Sequence, residues 1–266
     1  MDKYIINGGY KLEGEINIPG AKNSVLPILA ASVITGKTST ISNIPNLKDV
    51  DIMVKLLSHL GAKVYHEGNI ITVDSSEINK LYLPEDLVRE MRSSIILMGA
   101  MLARFKEVRI SYPGGCEIGP RPIDLHLKFL RQMGAEIEEA HGFLDCKTTG
   151  LKGCDIQLDY PSVGATENII LAAVTADGIT TIRNAAREPE IIDLQNYINK
   201  AGARVTGAGS SVITIEGIKN LNSCSHHIIP DRIVAGTYMT AAAITKGEII
   251  IKNIISDHIQ SIIAKL

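Results

Sequence analysis

The sequence predicts an α/β fold of repeated units, in which buried apolar helices are surrounded by sheets and amphipathic helices. Two sets of repeats carry this reading. The segment "LAASVITGKTSTISN" (29–43) returns as "LAAVTADGITTIRN" (171–184) and "AAAITKGEIIIKN" (241–253). Each copy reads as the end of an apolar helix, a glycine stop, and a β-branched strand ending in Asn. The second set is "DIMVKLLSHLGAKV" (51–64), "DLHLKFLRQMGAEI" (124–137) and "DLQNYINKAGARV" (193–205), each a helix that starts near Asp and ends in Gly-Ala before a strand. Together they define three units of about 70 residues, spanning 19–76, 83–153 and 160–221.

Within each unit the first helix, as in "SVLPILAASVI" and "NIILAAVTA", is apolar nearly all round and must therefore be enclosed. The second helix carries Lys, His, Arg and Gln on one side and belongs outside. A ring of three units follows, apolar helices inward. A doubly wound parallel sheet would need strands longer and more apolar than "TSTISNI" or "TTIRNAA". A fourth unit opens at "PDRIVAGTYMTAAAITKGEIIIKN" and enters a second helix at "SDHIQSIIAKL", with no Gly-Ala ending and no closing strands. Its open helix and sheet edge predict a C-terminally truncated piece of a longer protein, whose second ring begins near Pro230.

With 266 residues and 45% hydrophobic content, the chain can bury one large or two ordinary cores. A net charge of −2 argues against general binding to nucleic acid or a membrane surface. No apolar run approaches the roughly 20 residues of a membrane-spanning helix, and the start "MDKYIINGGYKLEG" lacks a signal-peptide pattern. These features predict a cytoplasmic protein. Cys116, Cys146, Cys154 and Cys224 form no C-x-x-C pair, so neither a zinc site nor a disulfide framework is indicated, and no metal or cofactor is expected.

The chemistry starts at the helix entrances: "PGAKN" (19–23), "MRSS" (91–94), "PSVGAT" (161–166) and "PDR" (230–232). A helix N-terminus presents unpaired N–H groups and a positive dipole end, which favour an anion. Lys22, Arg92 and Arg232 recur there, and in a ring the entrances lie toward one rim. That suits a ligand with several negative charges, such as a phosphorylated metabolite or a nucleotide diphosphate. For any single entrance, N-capping by Asn23, Ser94 or Ser162 is the simpler account.

A second kind of group lies in "PGGCEIGPRPIDL" (113–125), where dense Gly and Pro exclude helix and strand and place Cys116 in a surface loop. Near Arg121 its thiol could be a nucleophile or an acid, or an exposed cysteine without a role. Arg121, held between two prolines, suits a fixed phosphate clamp. Lys48 and Asp49 read as caps of the following helix. Glu188 and Glu190 read as helix-start carboxylates. His226 and His227 read as solvated residues of a polar linker, and Cys146, Cys154 and Cys224 as packing.

The segments "PGAKNSVLPILAA", "MRSS", "PGGCEIGPRPIDLH", "SVGATENI", "NAAREPEI" and "PDRI" resemble, in order and near spacing, those of the UDP-N-acetylglucosamine 1-carboxyvinyltransferases, the enolpyruvyl transferases of peptidoglycan synthesis. The resemblance runs through the whole chain. It implies an inside-out α/β barrel of enolpyruvyl-transferase type, with residues 22–229 forming a complete three-repeat lobe and residues 1–21 and 230–266 an incomplete second lobe. It implies transfer of the enolpyruvyl group of phosphoenolpyruvate to the 3-hydroxyl of UDP-N-acetylglucosamine through a tetrahedral intermediate, with release of phosphate. Carried over by motif, Lys22 and Asn23 hold phosphoenolpyruvate, and Lys22 and Arg121 meet its phosphate. Cys116 is the proton donor, can form a covalent pyruvate-type adduct, and is the group that fosfomycin alkylates. Arg92, Arg121, Pro122, Ile123, Asp124, Leu125, Ser162, Val163 and Gly164 line the sugar-nucleotide site, and the resemblance puts Lys48 and Asp49 near the cleft, a second reading beside helix capping. The implied partners are these two small substrates, with no nucleic acid and no membrane. The missing remainder of the second lobe predicts poor activity of this chain alone. Two rivals stay open: 3-phosphoshikimate 1-carboxyvinyltransferase, whose pattern lacks the cysteine loop, and a non-catalytic sugar-nucleotide-binding module.

Overall fold

The computed structural model describes residues 3–114 and 123–266. The first unit runs through α1 (Lys22–Thr35), β2 (Thr38–Ser42), α2 (Lys48–Leu60), β3 (Lys63–Glu67) and β4 (Ile70–Asp74), preceded by β1 (Glu13–Asn17). The second holds α3 (Glu85–Glu90), α4 (Leu97–Phe105), β5 (Glu107–Ser111), α5 (Asp124–Gln132), β6 (Glu136–Ala140) and β7 (Phe143–Lys147). The third holds β8 (Asp155–Gln157), α6 (Val163–Ala173), β9 (Ile179–Arg183), α7 (Pro189–Lys200), β10 (Arg204–Thr206) and β11 (Val212–Glu216). Then come β12 (Cys224–His227), α8 (Arg232–Thr245), β13 (Glu248–Lys252) and the short α9 (Gln260–Ile263).

Apolar composition on every face decides the centre. Every residue from Ser24 to Thr35 of α1 is buried, as are Leu97 to Leu102 of α4 and Ala165 to Ala173 of α6, and these three helices pack on one another. The amphipathic α2, α5 and α7 bury one face and leave the other to solvent. Gly99 allows the closest approach: a Cβ there would stand 2.3 Å from Asn168 Oδ1, which instead accepts the Gly99 N–H at 2.8 Å.

Sheets surround this centre without closing into a barrel. Their strand orders are β12-β2-β4-β3, β5-β7-β6 and β8-β9-β11-β10. The ring is closed by β12, which follows the third unit yet pairs in parallel with β2 of the first. The Asn residues that end the repeats have a structural task. Asn43, Asn184 and Asn253 adopt positive φ (63°, 57° and 56°), and each donates its side-chain amide to a carbonyl just past the parallel neighbouring strand, at Ile228, Leu158 and Ile18.

The chain crosses between the ring and the fourth unit twice, and the two crossings are tied together. Ala21 N–H donates to Ile229 O at 2.8 Å, Asp231 N–H to Pro19 O at 2.9 Å, and Lys22 N–H to Asp231 Oδ2 at 3.2 Å. Beyond them β1 pairs in parallel with β13, and Ile18, Ala235 and Ile259 form a small separate core.

Several sequence expectations are corrected. His226 and His227 lie on β12 rather than in a linker: His226 is 6% exposed, whereas His227 is exposed as expected. Asp193 accepts from His226 Nε2 at 2.8 Å, from Ile229 N–H at 3.3 Å and from Ser24 Oγ, so one buried carboxylate joins α1, α7 and β12. The MRSS entrance opens not into α-helix but into a 3₁₀ segment, Arg92–Ile96, where Ser94 Oγ bonds Val88 O at 3.3 Å rather than capping α4. The residue before α1 is Ala21, without a side-chain cap, and Asn23 lies within the first turn. "SDHIQSIIAKL" forms a 3₁₀ turn, Ser256–Ile259, followed by one turn of α9.

Candidate active site

Three of the four helix entrances meet in one cleft of about 610 Å³. Its lining includes Lys22, Asn23, Asp49, Arg92, Ser93, His126, Ser162, Val163, Gly164 and Glu167. The fourth entrance is directed elsewhere: Arg232 pairs with the buried Glu190 at 3.0 Å. Asp231 caps α8 by accepting from Ile233 N–H at 2.8 Å and Val234 N–H at 3.1 Å.

Each group in the cleft is held by a local cause. Lys22 begins α1 and pairs with Asp49 Oδ2 at 3.2 Å, across from the first turn of α2. Of the two readings of "NLKDVD", Asp49 takes the cleft: the residue before α2 is Leu47, with no side-chain cap bond, and Lys48 turns away to Glu90 at 2.8 Å. Ser162 caps α6, its Oγ accepting from Ala165 N–H at 3.4 Å, so the α6 N-terminus opens on the cleft. Arg92 also lines an adjoining recess of about 440 Å³ with Ile123 and Asp124, bordered by Pro113. Leu125 is buried in the core at 3% exposure. Cys116, Arg121 and Pro122 lie outside the described residues.

Two cleft residues escaped the reading of the sequence. His126, on α5, is 7% exposed. Asn168 fixes its tautomer: the Asn168 Oδ1 accepts from Gly99 N–H and its Nδ2 donates to Ile95 O at 3.2 Å, so Nδ2 also donates to His126 Nδ1, at 2.9 Å. His126 Nε2 must then carry the hydrogen. Burial first, and Arg92 second, lower its pKa to about 4, so it is a neutral donor at physiological pH. The second is Glu167, a carboxyl inside the apolar helix α6. Its signal was present as the polar residues Thr166, Glu167 and Asn168 interrupting the run in "SVGATENIILAAV". Among the described residues no metal-binding group of His, Cys, Asp and Glu occurs. Cys146 is buried against Met98, and burial raises its thiol to about 12, as expected of a packing residue.

Cations, a neutral imidazole donor and a helix N-terminus converge on one cleft of a ring of repeats, an arrangement that suits an oxyanion. The same architecture occurs in solved enolpyruvyl transferases. The enolpyruvyl transferase NikO from Streptomyces tendae superposes with a TM-score of 0.78 at 25% identity, over 88% of this chain and 56% of that one. EPSP synthase from Acinetobacter baumannii has a TM-score of 0.69 at 20% identity, over 94% and 57%, and supports the fold alone. The family model described as EPSP synthase (3-phosphoshikimate 1-carboxyvinyltransferase) matches residues 6–266, and the chain belongs to that family. Among curated relatives, UDP-N-acetylglucosamine 1-carboxyvinyltransferase 2 of Caldanaerobacter subterraneus subsp. tengcongensis is 56% identical over the whole chain. UDP-N-acetylglucosamine 1-carboxyvinyltransferase 1 of Carboxydothermus hydrogenoformans is 52% identical. The chain spans 64% and 63% of the lengths of these two relatives.

Proposed function

We propose that this chain carries the first wall of an active site that transfers the enolpyruvyl group of phosphoenolpyruvate to the 3-hydroxyl of UDP-N-acetylglucosamine, releasing phosphate, as a cytoplasmic step of peptidoglycan synthesis. The observation that supports this best is the convergence of Lys22, Asn23, Arg92 and the capped α6 N-terminus on one cleft, in a chain about half identical to transferases of that name. In this reading Lys22, fixed by Asp49, meets the phosphate of phosphoenolpyruvate beside Asn23. The backbone N–H groups at Ser162, Val163 and Gly164, with Arg92, take the sugar nucleotide. Charge sits on phosphate throughout, so fixed cations and helix dipoles need no rearrangement during reaction.

The cysteine loop supplies the proton. The sugar hydroxyl adds to C2 of phosphoenolpyruvate, passing its proton to a general base of the complete active site, while Cys116 protonates C3. The C–O bond to phosphate then breaks, C3 returns a proton to the Cys116 thiolate, the departing phosphate takes up the proton held by the base, and the enol ether forms. Arg121 steadies the departing phosphate. Phosphoenolpyruvate is both substrate and the source of the Cys116 adduct, and no separate cofactor is required.

The test is phosphate release from phosphoenolpyruvate with and without UDP-N-acetylglucosamine, by this chain and by a version extended to its relatives' length. Release that depends on the sugar nucleotide and falls at least about 100-fold on Cys116→Ser supports the reading. Preference for shikimate 3-phosphate, or indifference to Cys116→Ser, contradicts it.

A further inference from the structure

Glu167 is a charged residue type inside one of the three enclosed helices, and it is 3% exposed. A buried carboxyl is ordinarily paired or hydrogen-bonded. Glu167 Oε1 has no partner among the described residues, although the residue lines the cleft. The neighbours on α7 offer no compensation. From the α7 side, Glu190 is already paired with Arg232, and Glu188 has a buried Oε2 that is itself without a partner among the described residues. Across the cleft, Lys22 pairs with Asp49, and His126 is neutral with its Nε2 hydrogen available. Arg92 stands on the 3₁₀ segment at the opposite lip. Burial first, then Glu190 and Glu188, raise the Glu167 pKa well above the ordinary range.

We propose that Glu167 is a substrate-contacting hydrogen-bond donor, a protonated carboxylic acid that gives its O–H to an oxyanion of the ligand in the cleft. This rests on the functional reading above only for the identity of the ligand; the donor role requires no more than a bound oxyanion. A carboxylate at that place would repel an anion, and an apolar residue would leave the anion's lone pair unmet. A neutral acid does neither. No proton leaves Glu167 during binding.

The test combines two measurements on the 266-residue chain. Infrared difference spectra of wild type against Glu167→Gln should show a protonated carboxyl stretch at pH 7 that the variant lacks. Calorimetric titration with UDP-N-acetylglucosamine, and separately with inorganic pyrophosphate, is then run across pH. Wild-type affinity for the anion should fall as pH rises through the Glu167 pKa, because deprotonation turns a donor into a repelling charge. Glu167→Gln keeps the donor and should bind within about threefold of wild type at pH 7, with that falling limb removed. Glu167→Ala should bind at least about tenfold more weakly at pH 7. Absence of the carboxyl stretch, or a Gln variant as weak as Ala, overturns the proposal. Pyrophosphate binding with this limb, but no binding of the sugar nucleotide, upholds the donor and removes the proposed substrate. No binding of either anion overturns both.

Discussion

Helices α1 and α8 occupy equivalent places in their repeats, yet they meet opposite surroundings. Each has 14 residues, each ends in a left-handed residue (Gly36 or Lys246), and each leads to a strand followed by an Asn at positive φ. In α1 all residues from Ser24 onward are buried, whereas in α8 only Ala235 and Gly236 are, and Ile233, Tyr238 and Ile244 stand 51%, 36% and 81% exposed. The local pattern thus builds the unit, but enclosure comes from neighbouring units. For α1 those neighbours are α4, α6 and α7. The stability of the ring should therefore reside in contacts between repeats.

Substitutions can break that contrast. Leu29→Ala in α1, fully buried, should cost about 4 kcal/mol in urea unfolding. Asp193→Ala should cost about 3 kcal/mol, because Ser24 Oγ, His226 and Ile229 N–H lose a common buried acceptor that links repeats. Acid should act through His126. Its folded pKa of about 4 lies below the unfolded value of 6.5, so the unfolded chain takes the proton first as pH falls. Stability is then lost between pH 6.5 and about 4, by up to about 3 kcal/mol, and His126→Gln should flatten that slope in unfolding curves taken across pH. Asn184→Ala should cost about 1.5 kcal/mol by placing a Cβ residue without its amide bond at positive φ. Ile244→Ala, on the open face of α8, should change stability by less than about 0.5 kcal/mol. A cost for Ile244→Ala approaching that of Leu29→Ala would mean that α8 is covered in solution.

Much of this was legible in the sequence because repetition compares the chain with itself. The apolar run of "SVLPILAASVI" announced enclosure, and an Asn ended the strand of each copy, although its left-handed backbone emerges only from the structure. The burial of His226 was hidden because β12 gains its partner β2 from about 180 residues earlier, and local polarity says nothing of such a pairing. The convergence of Lys22, Arg92 and Ser162 could be expected from a ring. His126 could not, since it looks like an ordinary polar residue until tertiary packing strips away its solvent, and Glu167 showed only as a polar break in an otherwise apolar helix.

The decisive experiment is isothermal titration of UDP-N-acetylglucosamine into this chain and its Arg92→Ala variant. One-to-one binding, weakened at least about tenfold by the substitution, is expected if the cleft holds the sugar nucleotide. Undetectable binding, equal affinity in the variant, or tighter binding of shikimate 3-phosphate would contradict it.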